Sequence, residues 1–273
     1  MRYLGVSRAE VFSPNRSEGD MAVFRAVAHK LERHGNSVVC MTEQQLTENG
    51  IPCGIDGIFQ MCRSNDALAL LEKATVPVTN TVQGVKNCQR AAQTEMLNGT
   101  GLVPDSLICS TNRVPHSWNK YPCWIKRGDA HAVEKDDVQF MQNKSQCMDA
   151  IKRLADRGID TCVIQEHVCG WLVKFYGVKG FGLTDCYAAQ VKESKFGQEI
   201  HNDTPDGASI DIDALRTMAE GVSELLGVDI YGGDAVVSPD GTITLIDFND
   251  WPSFRTCTVG AAQKIAELIM SRR

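Results

Sequence analysis

The stretch 227–252 constrains the fold more than any other part of the chain. Val236-Val237 and residues 243–248 are β-branched or apolar runs, and Ser238-Pro239-Asp240-Gly241 between them is turn chemistry, so the stretch reads as a hairpin. Side chains alternate along a strand, which puts Asp247 and Asn249 on one face. A connecting loop of two or four residues adds Asp234 to that face, and a loop of three turns it away. Asp240 reads as a solvated turn residue. Asp247 differs, because a carboxylate inside a half-buried apolar run needs a cation or a hydrogen-bond donor. Hard oxygen donors from two neighbouring strands suit magnesium, which takes one or two carboxylates and completes its shell with water and phosphate oxygens.

At 273 residues the chain exceeds ordinary single-domain size, which favours two or three small lobes around one cleft. Its net charge of −6 argues against a nucleic-acid binder held by bulk electrostatics, so an anionic partner needs a focused site. No run approaches the ~20 apolar residues of a membrane span, and the strand-like residues 3–6 follow the first methionine directly, so a soluble, unprocessed protein is expected. Eleven cysteines is an odd count. Cys40, Cys62, Cys109, Cys123, Cys162 and Cys186 mostly fall in apolar runs rather than Cys-x-x-Cys pairs, and they read as reduced core thiols of a cytoplasmic protein. The Asn-x-Ser/Thr triplets at Asn15, Asn98 and Asn143 carry weight only in a secreted chain.

Residues 1–85 alternate strand and helix (3–6, 20–34, 37–41, 57–61, 65–73, 76–79) and form an expected parallel α/β lobe. Met21, Phe24, Val27, Ala28 and Leu31 make the helical stripe that packs on its sheet. Residues 86–168 form an expected second lobe. It opens with a helix over 83–97 and continues with strands at 104–109, 122–127, 138–142 and 161–166 and a helix over 147–157. Residues 169–273 form the third, with strands at 171–178 and 183–189, a helix over 213–226, the hairpin, and a last helix over 259–270. The polar run 193–209 reads as a mobile loop near the site.

Two lysines sit in strands. Lys126 ends the apolar run 121–125, and Lys174 lies within 171–176. Alternation places Lys174 and Leu172 on one face and Val173 and Phe175 on the other. Residues 163–168 lead into a short connection able to offer backbone groups to a base. The sequence holds neither a Gly-x-x-x-x-Gly-Lys-Ser/Thr loop nor a Gly-x-Gly-x-x-Gly turn, so the commoner nucleotide folds lack support.

This ordered set resembles the ATP-grasp superfamily over nearly the full length. The resemblance implies an α/β and α+β ATP-grasp fold behind an N-terminal parallel lobe, with ATP and Mg2+ as cofactors. Arg90 stands where many members carry a first ATP lysine, and Lys126 is the lysine on the phosphates. Gln165, Glu166, His167 and Val168 form the adenine connection, and Asp234, Asp247 and Asn249 hold the metal. Asp247-Phe248-Asn249 replaces the usual Glu-x-Asn, residues 127–132 are poorer in glycine than the family's phosphate loop, and Leu172 stands in place of a ribose-binding glutamate. The segment 246–252, Lys174 and His131 look more like the inositol-phosphate kinases of the superfamily, where such a lysine and histidine face a phosphorylated substrate. The leading expectation is an ADP-forming ligase that activates a carboxylate as an acyl phosphate for attack by an amine. The alternatives are a small-molecule kinase and a nucleotide-binding regulatory protein. Residues 12–16 and Arg255 are expected to meet an anionic small-molecule substrate. Neither nucleic acid nor membrane is an expected partner, and a homodimer is left open.

Overall fold

A computed structural model of the chain describes residues 1–13, 17–113, 115, 117–130, 132, 134–188, 201–202 and 208–272. Its first sheet holds β1 (Arg2–Ser7), β2 (Ser37–Thr42), β3 (Gly57–Gln60) and β4 (Val78–Thr79) in the order β2-β1-β3-β4, all parallel. β1 is buried at every position after Arg2, as a strand inside a parallel sheet must be. Helix α1 (Ser17–Arg33) buries Phe24, Val27, Ala28 and Leu31 of the predicted stripe together with Val23, while Met21 packs against them only partly buried. Gly5 lies beneath this contact, where an added Cβ would meet the Phe59 ring at 2.4 Å. β2 is an edge strand, which leaves Cys40 exposed rather than in the core. None of the eleven cysteines is in a disulfide.

Two local features differ from expectation. Helix α2 (Glu43–Asn49) was not anticipated, although Thr42 and Gln45 form a capping box that marks its start. After α3 (Asn65–Leu71), the single helix expected over 83–97 is two: α4 (Val82–Asn87) and α5 (Arg90–Leu97). Gln89 is extended between them (φ −62°, ψ 135°). The break sets Arg90 at the head of a new helix, where its guanidinium donates to the Arg127 carbonyl at 2.9 Å.

The second sheet is antiparallel and holds β5 (Ser106–Ser110), β6 (Cys123–Arg127), β7 (Val138–Met141) and β8 (Thr161–Glu166) in the order β5-β8-β6-β7. Helix α6 (Lys144–Asp156) covers it with Cys147, Ala150, Ile151 and Leu154. The third sheet, also antiparallel, runs β10-β9-β11-β12 through β9 (Trp171–Val178), β10 (Gly182–Ala188), β11 (Ile230–Val237) and β12 (Ile243–Asp250). Val173, Phe175, Ala235, Leu245 and Phe248 form its core face against α7 (Ile212–Leu226). Helix α8 (Thr258–Ser271) shares a core with α1, Tyr176 and Trp251, joining the first sheet's layer to the third sheet.

A pair of arginines strengthens that junction. Arg8 donates to the Trp251 carbonyl at 3.0 Å and pairs with Asp20 at 2.8 Å. Arg63 donates to the Asp250 carbonyl at 3.1 Å and pairs with the Asp250 carboxylate at 2.6 Å. Glu43, itself buried, accepts from the backbone N–H groups of Ala9, Arg63 and Ser64 and so fixes both arginine-bearing loops to one frame. Loops after β1 and β3 therefore hold the chain where it leaves β12. Among the described residues no helix is long and apolar enough to cross a membrane.

Candidate active site

The β11–β12 loop is the three-residue kind. Ser238 N–H bonds the Thr242 carbonyl at 2.9 Å across residues 239–241, and Gly241 takes the left-handed conformation (φ 88°) that such a loop requires. That register alone would pair Asp234 with Ile246 and turn Asp247 to the core. A β-bulge at Ile246 adds one residue to β12, so Asp234 stands opposite Asp247 after all. On its other side Asp234 stands opposite Lys174 of β9. Lys174, Asp234 and Asp247 thus form a row across three strands, on the face opposite the α7 core.

Each end of this row pairs a carboxylate with a cation. Lys174 Nζ lies 3.0 and 3.2 Å from the two Asp234 oxygens, and Arg90 lies 3.6 Å from Asp247. Asn249 donates its amide to Asp247 at 3.0 Å, which leaves its oxygen as the donor atom for a cation. Gln93, on the same helix as Arg90, donates to the Phe248 carbonyl at 2.6 Å and holds the strand between Asp247 and Asn249.

Lys126 approaches from the second sheet. Only 6% exposed, it donates to Gln165 Oε1 at 2.6 Å and to the Ile246 carbonyl at 2.8 Å. The bulge interrupts the ladder here, and Lys126 takes the carbonyl of the extra residue. Burial and the nearby Arg90 push the Lys126 ammonium down to about 8, against the pull of Asp247 and Asp234.

Beyond Gln165 the connection passes from β8 to β9. Glu166 N–H bonds the Asp105 carbonyl at 2.9 Å, and its carboxylate is held by Lys120 at 2.9 Å. His167 accepts from the Trp124 indole at 3.1 Å; burial, then its neighbour His201, hold its pKa below the ordinary value. Val168 packs with Leu172, Val236 and Ile246 in a small apolar cluster between the connection and the carboxylate row. Arg255 is exposed in the turn into α8. His131 and residues 14–16 lie outside the described residues, as does most of 193–209. A cavity of about 470 Å³ opens beside the site, lined by Phe12, Arg63, Asn65, Gln89, Asp129 and Ala130 among others.

Three residues escaped the sequence reading. Arg63 and Arg8 act on backbone far away in sequence, and no periodicity signals them. Asn202 sits inside a run read as a loop, yet it is 5% exposed.

The donor set suits magnesium. Two carboxylates and an amide oxygen are hard ligands, and among the described residues no group of three or more His, Cys, Asp or Glu could hold an ion unaided. A site of that kind needs oxygens from a ligand and from water to complete the shell, as magnesium bound with a nucleotide does.

No protein-family model and no curated protein matches the sequence. Solved structures do match in fold. D-alanine–D-alanine ligase from Bacillus anthracis, complexed with ATP, superposes with a TM-score of 0.73 at 13% identity, covering 100% of this chain and 97% of that one. VanG D-Ala:D-Ser ligase from Enterococcus faecalis gives 0.72 at 13% identity, covering 98% of each chain. A RimK domain ATP-grasp protein from Sphaerobacter thermophilus gives 0.68 at 17% identity, covering 99% of this chain and 100% of that one. With its one parallel and two antiparallel sheets, this chain therefore has the ATP-grasp fold.

Proposed function

We propose that the chain is a Mg-ATP-dependent ligase that activates a carboxylate as an acyl phosphate for attack by an amine, with release of ADP and phosphate. The observation that carries this reading is the row Lys174–Asp234–Asp247–Arg90 with Lys126 beside it. It combines cations for phosphate oxygens and carboxylates for a metal on one face of one cleft. The ligase form is favoured because the structures sharing the fold over their whole length include D-alanine–D-alanine ligase with ATP and a D-Ala:D-Ser ligase. The lobes would be 1–85, 86–168 and 169–273, each with one of the sheets.

In this reading Lys126 and Arg90 hold the phosphates, and Glu166 and Val168 present backbone groups to the base. Leu172, Val236 and Ile246 offer it an apolar floor. Asp234, Asp247 and Asn249 would hold the metal, which when bound draws charge from the phosphate oxygens. The protein's contribution is position and electrostatics. Lys174, at the open end of the row, faces the acceptor, with His131 and Arg255 as further candidates there. The acceptor takes the cavity behind Gln89.

Hydroxylamine trapping with candidate acids tests the chemistry: a ligase yields a hydroxamate and a kinase does not. A kinase is the second reading, favoured by the cation at the acceptor end of the row.

Lys126→Met retains the stem and removes the charge, so ATP affinity is expected to fall by roughly 1–3 kcal/mol in a calorimetric titration. Because the folded pKa lies near 8, the ammonium is lost as pH rises through that value. In EDTA, wild-type affinity for ADP should therefore decline above pH 8, while the variant's stays level; equal slopes would remove Lys126 from the phosphates. Lys174→Met should reduce turnover with the true acceptor much more than ATP affinity, since a cation facing the acceptor acts in the productive complex. Parallel loss in both quantities would place Lys174 on the nucleotide instead.

A further inference from the structure

The connection between β8 and β9 is held by a residue more than thirty positions downstream. The Asn202 amide nitrogen donates to the Val168 carbonyl at 2.9 Å and to the Gly170 carbonyl at 3.0 Å. Leu172 N–H donates to the Asn202 carbonyl at 3.2 Å. Between those two carbonyls, that of Cys169 accepts from the Ser238 hydroxyl at 3.1 Å. Three consecutive peptide carbonyls are thus oriented from outside the connection. On its upstream side the backbone N–H of His167 bonds the Pro122 carbonyl at 3.3 Å. Gly170 has φ +152° and no room for a Cβ, which would meet the Val237 carbonyl at 2.2 Å.

The neighbouring residue anchors Asn202 in turn. The His201 ring stacks on Phe140 with centroids 3.8 Å apart and meets the Trp124 ring edge-on at 5.5 Å. Trp124 also bonds His167. His201 therefore grips the second sheet with its ring, while Asn202 grips the connection with its side chain and the start of the third sheet with its backbone carbonyl. A buried asparagine using both amide hydrogens on a segment without secondary structure is more than packing needs; it fixes peptide planes.

We infer that Asn202 is a positioning residue for base selection: by fixing the Val168 and Gly170 carbonyls it holds in place the connection through which residues 166–168 face the nucleotide base. This rests on the reading that ATP lies at the connection. A base is discriminated by hydrogen bonds only when the groups that read it cannot turn to suit another. Asn202 supplies that rigidity without touching the base, whereas Lys126 reads phosphates and is indifferent to it.

The test is calorimetric titration of the full chain with ATP and with GTP, for wild type, Asn202→Ala and Lys126→Met. Wild type is expected to prefer ATP. Loss of two hydrogen bonds to the connection should lower ATP affinity roughly tenfold in Asn202→Ala and leave GTP affinity nearly unchanged, so the preference contracts by about the same factor. Lys126→Met should weaken both nucleotides alike and preserve the preference. If Asn202→Ala does not fold, Asn202→Leu serves: it keeps the branched shape and loses the donors without burying a charge, with the same contraction expected. An unchanged ATP/GTP ratio in a folded Asn202 variant overturns the inference and leaves the ATP reading standing. Wild type that binds neither nucleotide overturns both.

Discussion

Asp247→Ala is expected to lower turnover at least about a hundredfold, because a metal that neutralises phosphate charge contributes several kcal/mol to the transition state. The fold should survive. Asp247 is partly exposed, its contact with Arg90 is a loose 3.6 Å, and Arg90 keeps its bond to the Arg127 carbonyl when the carboxylate is removed. Asp247→Asn separates charge from shape: it keeps an oxygen at the site and removes the carboxylate. The measurement is turnover beside a thermal melt for both variants. Turnover within a few fold of wild type, with the melt unchanged, would remove Asp247 from the metal.

Arg63→Ala is expected to destabilise the protein by about 3–5 kcal/mol, the scale of breaking a buried ion pair from one side. The Asp250 side chain is fully buried and its 2.6 Å cation disappears, together with the bond to the Asp250 carbonyl. The effect should reach the site as well, since Asp250 follows Asn249 directly. Arg63→Ala combined with Asp250→Asn removes the stranded charge and should recover part of the stability. Denaturant unfolding of the single and double variants checks this. If the single variant loses less than about 1 kcal/mol, the contact is an ordinary surface pair and the junction is held by the α1–α8 core.

Much of this arrangement was legible from the sequence, and the reason is period. Alternation in 171–176 separates Lys174 and Leu172 from Val173 and Phe175, and the structure puts the first pair on the cleft face and the second in the core. The parallel lobe followed from strand and helix runs in the same way. What was not legible has no period. The extended Gln89 splits a helix whose spacing looks continuous, and the reward is a long-range bond from Arg90 to a carbonyl of β6. Arg8 and Arg63 meet the end of β12 from loops, and Asn202 meets the connection from a polar run. In each case a single side chain satisfies distant backbone, and such a bond leaves no pattern in neighbouring residues.

The loop of three residues and the bulge at Ile246 make two separate contributions. Consider a chain lacking Ile246. Leu245 would still face the core and Asp247 the cleft, opposite Asp234, with the ladder regular from the turn to Asp250. The acids thus belong to the plain hairpin. The inserted residue brings a different thing, a carbonyl that Lys126 takes as its acceptor. A one-residue deletion at this point would spare the carboxylate row and leave the lysine its bond to Gln165 alone, so the acids and the Lys126 contact are separable by the length of one strand.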